Sequence, residues 1–302
     1  MKLFSQIQRH PLVSIIAIVI LIAISFASYT ILRSTKPTAL SDVAHLTSGI
    51  RYCNDNNPAR TFDLYRPKNV GDKPLPLIVY IHGGGWRWGD ENNHLLNTYA
   101  PRFIAKGFAV ATLDYRLNPK NPYPDQNNDI ACALAYIDTN ANALKIDINK
   151  TIYFGDSAGG QLAAFAALNI PFANYDYEAP LGVIDFYGVS DFSTIVDGVN
   201  ADLNARRYLG SKYNKTAIAA SPTTYITKKA PRFLFFHGTS DKVVPIAQSR
   251  SFYDSLTKIG VDAEYISISG AGHAFAGPEL PQAQNKLISD NINTFLDELV
   301  VK

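Results

Sequence analysis

Cysteine is almost missing from this sequence: of 302 residues, only Cys53 and Cys132 carry a thiol. There is no CxxC pair, no HxH and no HExxH, and the six histidines lie far apart, which removes the familiar ligand sets for zinc. Charge is scarce as well. Charged residues make up 18% of the chain, and 28 Lys and Arg nearly cancel 26 Asp and Glu. Scattered and balanced, they cannot neutralise a run of phosphates, so nucleic acid is not an expected partner. No internal repeat or low-complexity tract is present. With 47% hydrophobic residues and a net charge of +2, wholesale disorder is excluded and a packed body of about one enzyme-sized domain is implied. The two cysteines leave two readings open, one disulfide in an exported chain or two buried thiols.

One long uncharged run stands out, "PLVSIIAIVILIAISFASYTIL" from Pro11 to Leu32. At ~1.5 Å per residue it spans a hydrocarbon core of ~30 Å. Lys2 and Arg9 precede it, which favours holding that end in the cytoplasm and exporting the remainder, although Arg33 and Lys36 follow. Residues 1–33 are therefore expected to be a membrane anchor, with 34–44 as a polar linker and 45–302 as a catalytic domain outside the cytoplasm. The alternative is a cleaved signal peptide, with Ser25 and Ala27 before a cut at Ser28, giving a secreted protein.

Beyond the linker, two kinds of segment alternate. "LPLIVYIHGG", "FAVATLDYRL", "TIYFGD", "LGVIDFYG", "RFLFFHG" and "AEYISIS" are short β-branched and aromatic runs. Amphipathic stretches of helical length, such as "NHLLNTYAPRFIAKG" and "DQNNDIACALAYIDTN", separate most of them. This alternation predicts an α/β fold with a mainly parallel sheet covered on both faces, and "SGIRYC" with "RTFDLYRP" as an antiparallel edge hairpin. Residues 190–229 break the pattern and read as a polar, Tyr-rich cap insertion over the sheet's C-terminal edge, where open α/β sheets bind ligands.

The stretch "TIYFGDSAGGQLAAFAAL" places Ser157 between a strand and an alanine-rich helix. G-x-S-x-G in that setting is the nucleophile-elbow pattern, with glycines relieving clashes around a strained serine. A serine hydroxyl needs a base, and His273 in "SISGAGHAF" follows the last strand. Among the other histidines, His10 and His45 precede the sheet and His94 starts a surface helix. His82 belongs to a glycine-rich loop, and His237 is expected to pack beside the acid loop. The base in turn needs a carboxylate, and Asp241 in "GTSDKVVP" lies one strand earlier, with Asp185 and Asp191 as competitors. "HGGGWRWGD" supplies backbone N–H groups at Gly84 and Gly85 that, with Ala158, are candidates for an oxyanion hole. A phosphate cradle is the rival reading of that loop, but the Lys-Ser/Thr of a P-loop is missing.

Taken in order, "HGGGW", "LDYRL", "GDSAGG", "DKVVP" and "GHAF" resemble the α/β-hydrolase carboxylesterases of the hormone-sensitive-lipase and feruloyl-esterase-like groups, over roughly residues 45 to 300. The resemblance implies an eight-stranded core, Ser157 as nucleophile, His273 as general base and then acid, and Asp241 as orienting carboxylate. It also implies an oxyanion hole from Gly84, Gly85 and Ala158. Asp156, where many members carry glutamate, fits the lipase-like branch. The hydrophobic N-terminus departs from most soluble bacterial members.

The expected activity is hydrolysis of small-molecule carboxylic esters through an acyl-enzyme, with no cofactor and no metal. An amidase or formamidase, a serine peptidase, and a non-catalytic binding protein on the same fold are the competing readings. Trp86 and Trp88, beside the glycine loop, are candidate aromatic walls of the substrate cleft, with core packing as the alternative for one of them. The cap contains no long apolar helix of the kind that opens onto oil, so short acyl groups are the expected preference. The sequence gives no indication of oligomeric state.

Overall fold

The alternating runs become a single eight-stranded sheet in the order β1-β2-β4-β3-β5-β6-β7-β8. A computed structural model describes residues 40 and 44–300, apart from 54, 69, 72, 91–93, 170–171, 173, 196–199, 211–212 and 277–279. The strands are β1 (Ala44–Arg51), β2 (Thr61–Pro67), β3 (Leu75–Ile81), β4 (Ala109–Leu113), β5 (Ile146–Asp156), β6 (Gly182–Phe186), β7 (Arg232–Gly238) and β8 (Ala263–Ile268). β1 and β2 form the predicted antiparallel edge, β2 runs antiparallel to β4, and every pairing from β4 to β8 is parallel. All residues of β4 and β6 are buried, as expected of parallel strands covered on both faces. The outermost strand β1 is exposed along most of its length.

Helices α1 (His94–Ala105), α2 (Asp125–Thr139), α3 (Ala141–Leu144), α4 (Ala158–Leu168), α7 (Ala247–Lys258) and α8 (Gln282–Val300) connect or follow these strands. Two further helices, α5 (Asn200–Leu209) and α6 (Tyr213–Ala220), occupy the predicted insertion, flanked by 3₁₀ turns at Phe192–Thr194 and Pro222–Tyr225. Among the described residues the cap is therefore a pair of short helices between β6 and β7. Ala205, Tyr208, Leu209, Ala217 and Ala220 bury its inner side, whereas Leu203 and Ile218 are exposed.

Cys53 and Cys132 are joined as a disulfide, with Cα atoms 5.9 Å apart, tying the segment after β1 to α2. Their separation of 79 residues makes the constraint on the unfolded chain worth ~4 kcal/mol in the chain-entropy account. The run Pro11–Leu32 lies outside the described residues. Among the described residues, no helix is long and apolar enough to cross a membrane. The chain divides into two units, Met1–Asp42 and Val43–Lys302, and the sheet lies entirely in the second.

Candidate active site

Six parallel strands end at one edge of the sheet, and the loops that follow five of them, β3, β5, β6, β7 and β8, carry the candidate residues. β5 stops at Asp156 and α4 begins at Ala158, leaving Ser157 alone in the turn with φ 52° and ψ −117°. A left-handed φ is costly for a residue with a side chain, and hydrogen bonds on both sides hold it there. The Ser157 N–H donates to Phe186 O at 2.8 Å, and its carbonyl accepts from the Gln161 N–H at 3.1 Å. Gly159 allows the first turn of α4 to lie against β3, because a methyl there would collide with the carbonyl oxygen of Ile81. The elbow of the sequence pattern is therefore a close contact between helix and strand as well as a tight turn.

His273 arrives from the loop after β8. Its Nε2 is 3.0 Å from Ser157 Oγ and its Nδ1 is 2.7 Å from Asp241 Oδ2. These three side chains thus form one continuous hydrogen-bonded line, in the predicted order along the chain. The imidazole is 18% exposed, whereas the Asp241 carboxylate is fully enclosed. Burial alone would raise the Asp241 carboxyl, but hydrogen bonds from His237 and His273 and the N–H of Val243 outweigh it and hold the group well below the usual carboxylate range. The Val243 and Val244 N–H groups donate to Oδ1 at 2.8 and 3.0 Å. Neither competing carboxylate joins this line. Asp191 receives the N–H of Ser193, and Asp185 lies beneath α4.

The glycine loop is anchored from below. Asp156 Oδ1 accepts from the Tyr80 hydroxyl at 2.6 Å and from the Gly83 N–H at 3.0 Å, so the residue before the serine also holds the loop. His82 stacks on Tyr115 at 4.3 Å, and the Tyr115 hydroxyl donates to His82 O at 2.8 Å. Gly84 has φ +112°, and its carbonyl accepts from Arg87 and Trp88 in a tight turn that a side chain at Gly84 would block against Trp88 O. Among the described residues, nothing accepts from the N–H groups of Gly84, Gly85 or Ala158. The loop's Gly83 lies against Asp156, the residue before Ser157, which keeps these three N–H groups as candidates for an oxyanion hole.

The two tryptophans part company. Trp86 is buried, stacked on Tyr208 of α5 at 4.5 Å, and its Nε1–H donates to Gln161 Oε1 at 2.8 Å. Of the two readings open for the tryptophans, Trp86 takes that of core packing: the indole is a rivet between loop, cap and nucleophile helix. Gln161 completes it by donating to Ala220 O at 3.0 Å. Trp88 is 55% exposed, with the Arg87 guanidinium 4.1 Å above its ring. Of the remaining histidines, His237 is the one that sequence reasoning undervalued, since it lies 3.3 Å from Asp241 Oδ2. The signal was the spacing of four residues across the turn after β7. Among the described residues, no group of three or more His, Cys, Asp or Glu side chains could hold a metal ion.

Asp185 has a separate consequence. It is buried on β6, accepts the Gly188 N–H at 2.8 Å and lies against Gly160. Burial pushes its carboxyl up to about 7, with nearby Asp156 adding to the rise and the Gly188 N–H and His237 opposing it. A carboxyl raised in the folded state stabilises fully below the unfolded value of ~3.9, and that contribution is lost as pH rises through about 7. Asp185→Asn is therefore expected to gain stability relative to the wild type between pH 5 and 9, by about 3 kcal/mol at most and mostly below pH 7. Denaturant unfolding at pH 5, 7 and 9 measures the gap, and a gap constant with pH would reject the neutral carboxyl.

A family model named BD-FAE matches residues 62–256. The esterase LipC of Mycobacterium tuberculosis (strain ATCC 25618 / H37Rv) is 30% identical over 238 residues, covering 73% of this chain and 58% of LipC. The isoprenylcysteine alpha-carbonyl methylesterase ICME of Arabidopsis thaliana is 26% identical over 262 residues, covering 79% of this chain and 60% of ICME. The chain thus spans about three fifths of the length of these two relatives. Among solved structures, a truncated carbohydrate esterase from gut microbiota superposes with a TM-score of 0.74 at 24% identity, covering 89% of this chain and 99% of that one, a likeness of fold. The sheet order, the serine elbow and a family match across most of the catalytic domain agree: this chain belongs to the BD-FAE family and has the α/β-hydrolase fold.

Proposed function

We propose that this protein is a serine carboxylesterase working through an acyl-enzyme. The observation that carries the reading is the line from Ser157 Oγ through His273 to Asp241, with 3.0 and 2.7 Å links. In this reading Ser157 attacks the ester carbonyl while His273 Nε2 takes its proton, and Asp241 stabilises the imidazolium that results. The N–H groups of Gly84, Gly85 and Ala158 meet the oxyanion, each such donor contributing ~3 kcal/mol in related chemistry. His273 returns the proton to the departing alcohol, and water repeats the sequence on the acyl-enzyme. The relatives named as esterases support an ester as substrate over an amide or peptide.

The preferred esters are small and soluble in this reading. Among the described residues the cap is two short helices pinned through Tyr208 and Ala220, whose exposed large apolar side chains are Leu203 and Ile218, less than the broad apolar face an oil droplet requires. Exposed Trp88 is the remaining candidate for an aromatic wall at the mouth. We expect kcat/KM to peak between acetyl and butyryl in a series of p-nitrophenyl esters, with no rise when substrate passes its solubility limit. A maximum at palmitoyl, or a jump on emulsification, would replace this reading with that of a lipase.

The disulfide and the uncharged run before the domain support a place outside the cytoplasm, at a membrane or released from it. Fractionation of the full chain tests this, since a reduced protein confined to the cytosol would contradict it.

A further inference from the structure

We propose that His237 is a positioning residue for the same reaction, sharing the Oδ2 atom of Asp241 with His273; this rests on the carboxylesterase reading. His237 lies near the end of β7, and neither its side chain nor that of Asp241 has any exposed surface. Its Nε2 lies 3.3 Å from Asp241 Oδ2 and 3.1 Å from Val244 O, and its Nδ1 lies 2.8 Å from Ser249 Oγ on α7. A carboxylate and a carbonyl offer only lone pairs, so the proton sits on Nε2. Nδ1 faces the Ser249 hydroxyl, and contacts at both ring nitrogens fix the orientation of the imidazole.

Asp241 therefore receives donors on both oxygens. Two backbone N–H groups meet Oδ1, while at Oδ2 the His273 N–H bonds at 2.7 Å and the His237 Nε2–H, bonded to Val244 O, lies 3.3 Å away. The first consequence is geometric, because a carboxylate tied at every side cannot swing away from His273. The second is electrostatic. The His237 N–H takes up part of the negative charge at Oδ2, so Asp241 draws the His273 imidazolium less strongly than an unshared carboxylate would. Removing that N–H should make His273 hold its proton to higher pH. The other ionisable groups facing this pair are Tyr187, its ring 6.4 Å from His237 and 4.7 Å from His273, and Asp185 on the adjacent strand. Tyr187 is raised by burial and stays neutral, whereas Asp185 titrates within the working range.

The test compares His237→Leu, which removes the donor, with His237→Gln, which restores an N–H near the Nε2 position, each also in an Asp185→Asn background. For p-nitrophenyl acetate, His237→Leu is expected to lower kcat about tenfold with KM within about twofold. The acidic limb of its kcat/KM profile should move up by ~0.5 pH unit, and His237→Gln should bring back most of both. Unchanged kcat and limb in His237→Leu would overturn the proposal, as would a loss matched by the unfolded fraction with the limb unmoved. If His237→Leu does not fold, Ser249→Ala carries the test, because it frees Nδ1 while keeping the ring. A smaller shift in the same direction supports the proposal, and no shift overturns it. Titration of the His273 ring resonances by NMR reads the same displacement without turnover. A displaced titration in a protein inactive on esters would reject the esterase reading and leave the His237 contact standing.

Discussion

Ser157→Ala is expected to lower kcat for ester hydrolysis by ~10⁵-fold or more, at nearly wild-type stability. The loss is large because the acyl-enzyme cannot form without Oγ, and the remaining donors at Gly84, Gly85 and Ala158 can only polarise the carbonyl. The fold should tolerate the change for a local reason. The serine is held by its backbone, through Phe186 O and the Gln161 N–H, while the hydroxyl meets His273 Nε2 on a partly exposed ring. Alanine keeps the backbone bonds and leaves an imidazole nitrogen that water can reach. Steady-state turnover and intact mass after fluorophosphonate treatment check this together. Turnover near the wild-type rate, or a label on Ser157→Ala equal to that on the wild type, would reject Ser157 as nucleophile.

Asp241→Asn is expected to cost ~10⁴-fold in kcat and, unlike Ser157→Ala, to lower stability as well. Both oxygens of this carboxylate face N–H groups: Val243 and Val244 bond Oδ1, His273 bonds Oδ2, and His237 Nε2 lies 3.3 Å from Oδ2. An asparagine NH₂ must therefore face donors whichever way the amide turns. Turned toward His273, it favours the tautomer with the proton on Nε2, which then cannot accept from Ser157. Turned toward the valines, it strands two backbone N–H groups, at about 1–3 kcal/mol each. The melting temperature and kcat should fall together. A variant with normal kcat would show that His273 is oriented by something other than Asp241.

Much of this site is legible in the sequence because its parts are local. A strand run, a glycine-flanked serine and an alanine-rich helix occupy consecutive residues, and Asp241 and His273 each follow a recognisable strand end. The edge hairpin is equally plain from its turn residues. What escapes is set by distance in space. Whether Trp86 lines a cleft or fills the interior depends on Tyr208 and Gln161, which lie 122 and 75 positions away. No period in "HGGGWRWGD" records them. The polar cap reads as irregular because its helices are short and, among the described residues, bury a narrow stripe of Ala205, Tyr208, Leu209, Ala217 and Ala220. His237 reads as a strand end because its partner Ser249 lies across a turn, in the next helix. The cysteine pair stays open for the same reason, since nothing near Cys53 points to a helix 79 residues on.

The Trp86 rivet also bears on how this scaffold can be altered. The cap looks like a cassette, entered after β6 and left before β7, and so invites exchange with a relative's cap to alter substrate choice. But Tyr208 and the Ala220 carbonyl belong to that cassette, and through Trp86 and Gln161 they brace the glycine loop and the nucleophile helix. A foreign cap lacking an aromatic face at Tyr208 removes a prop from residues shared by every substrate. Such chimeras should lose activity across a whole panel of esters, and a productive graft must transplant Trp86, Gln161 and their cap partners as one unit.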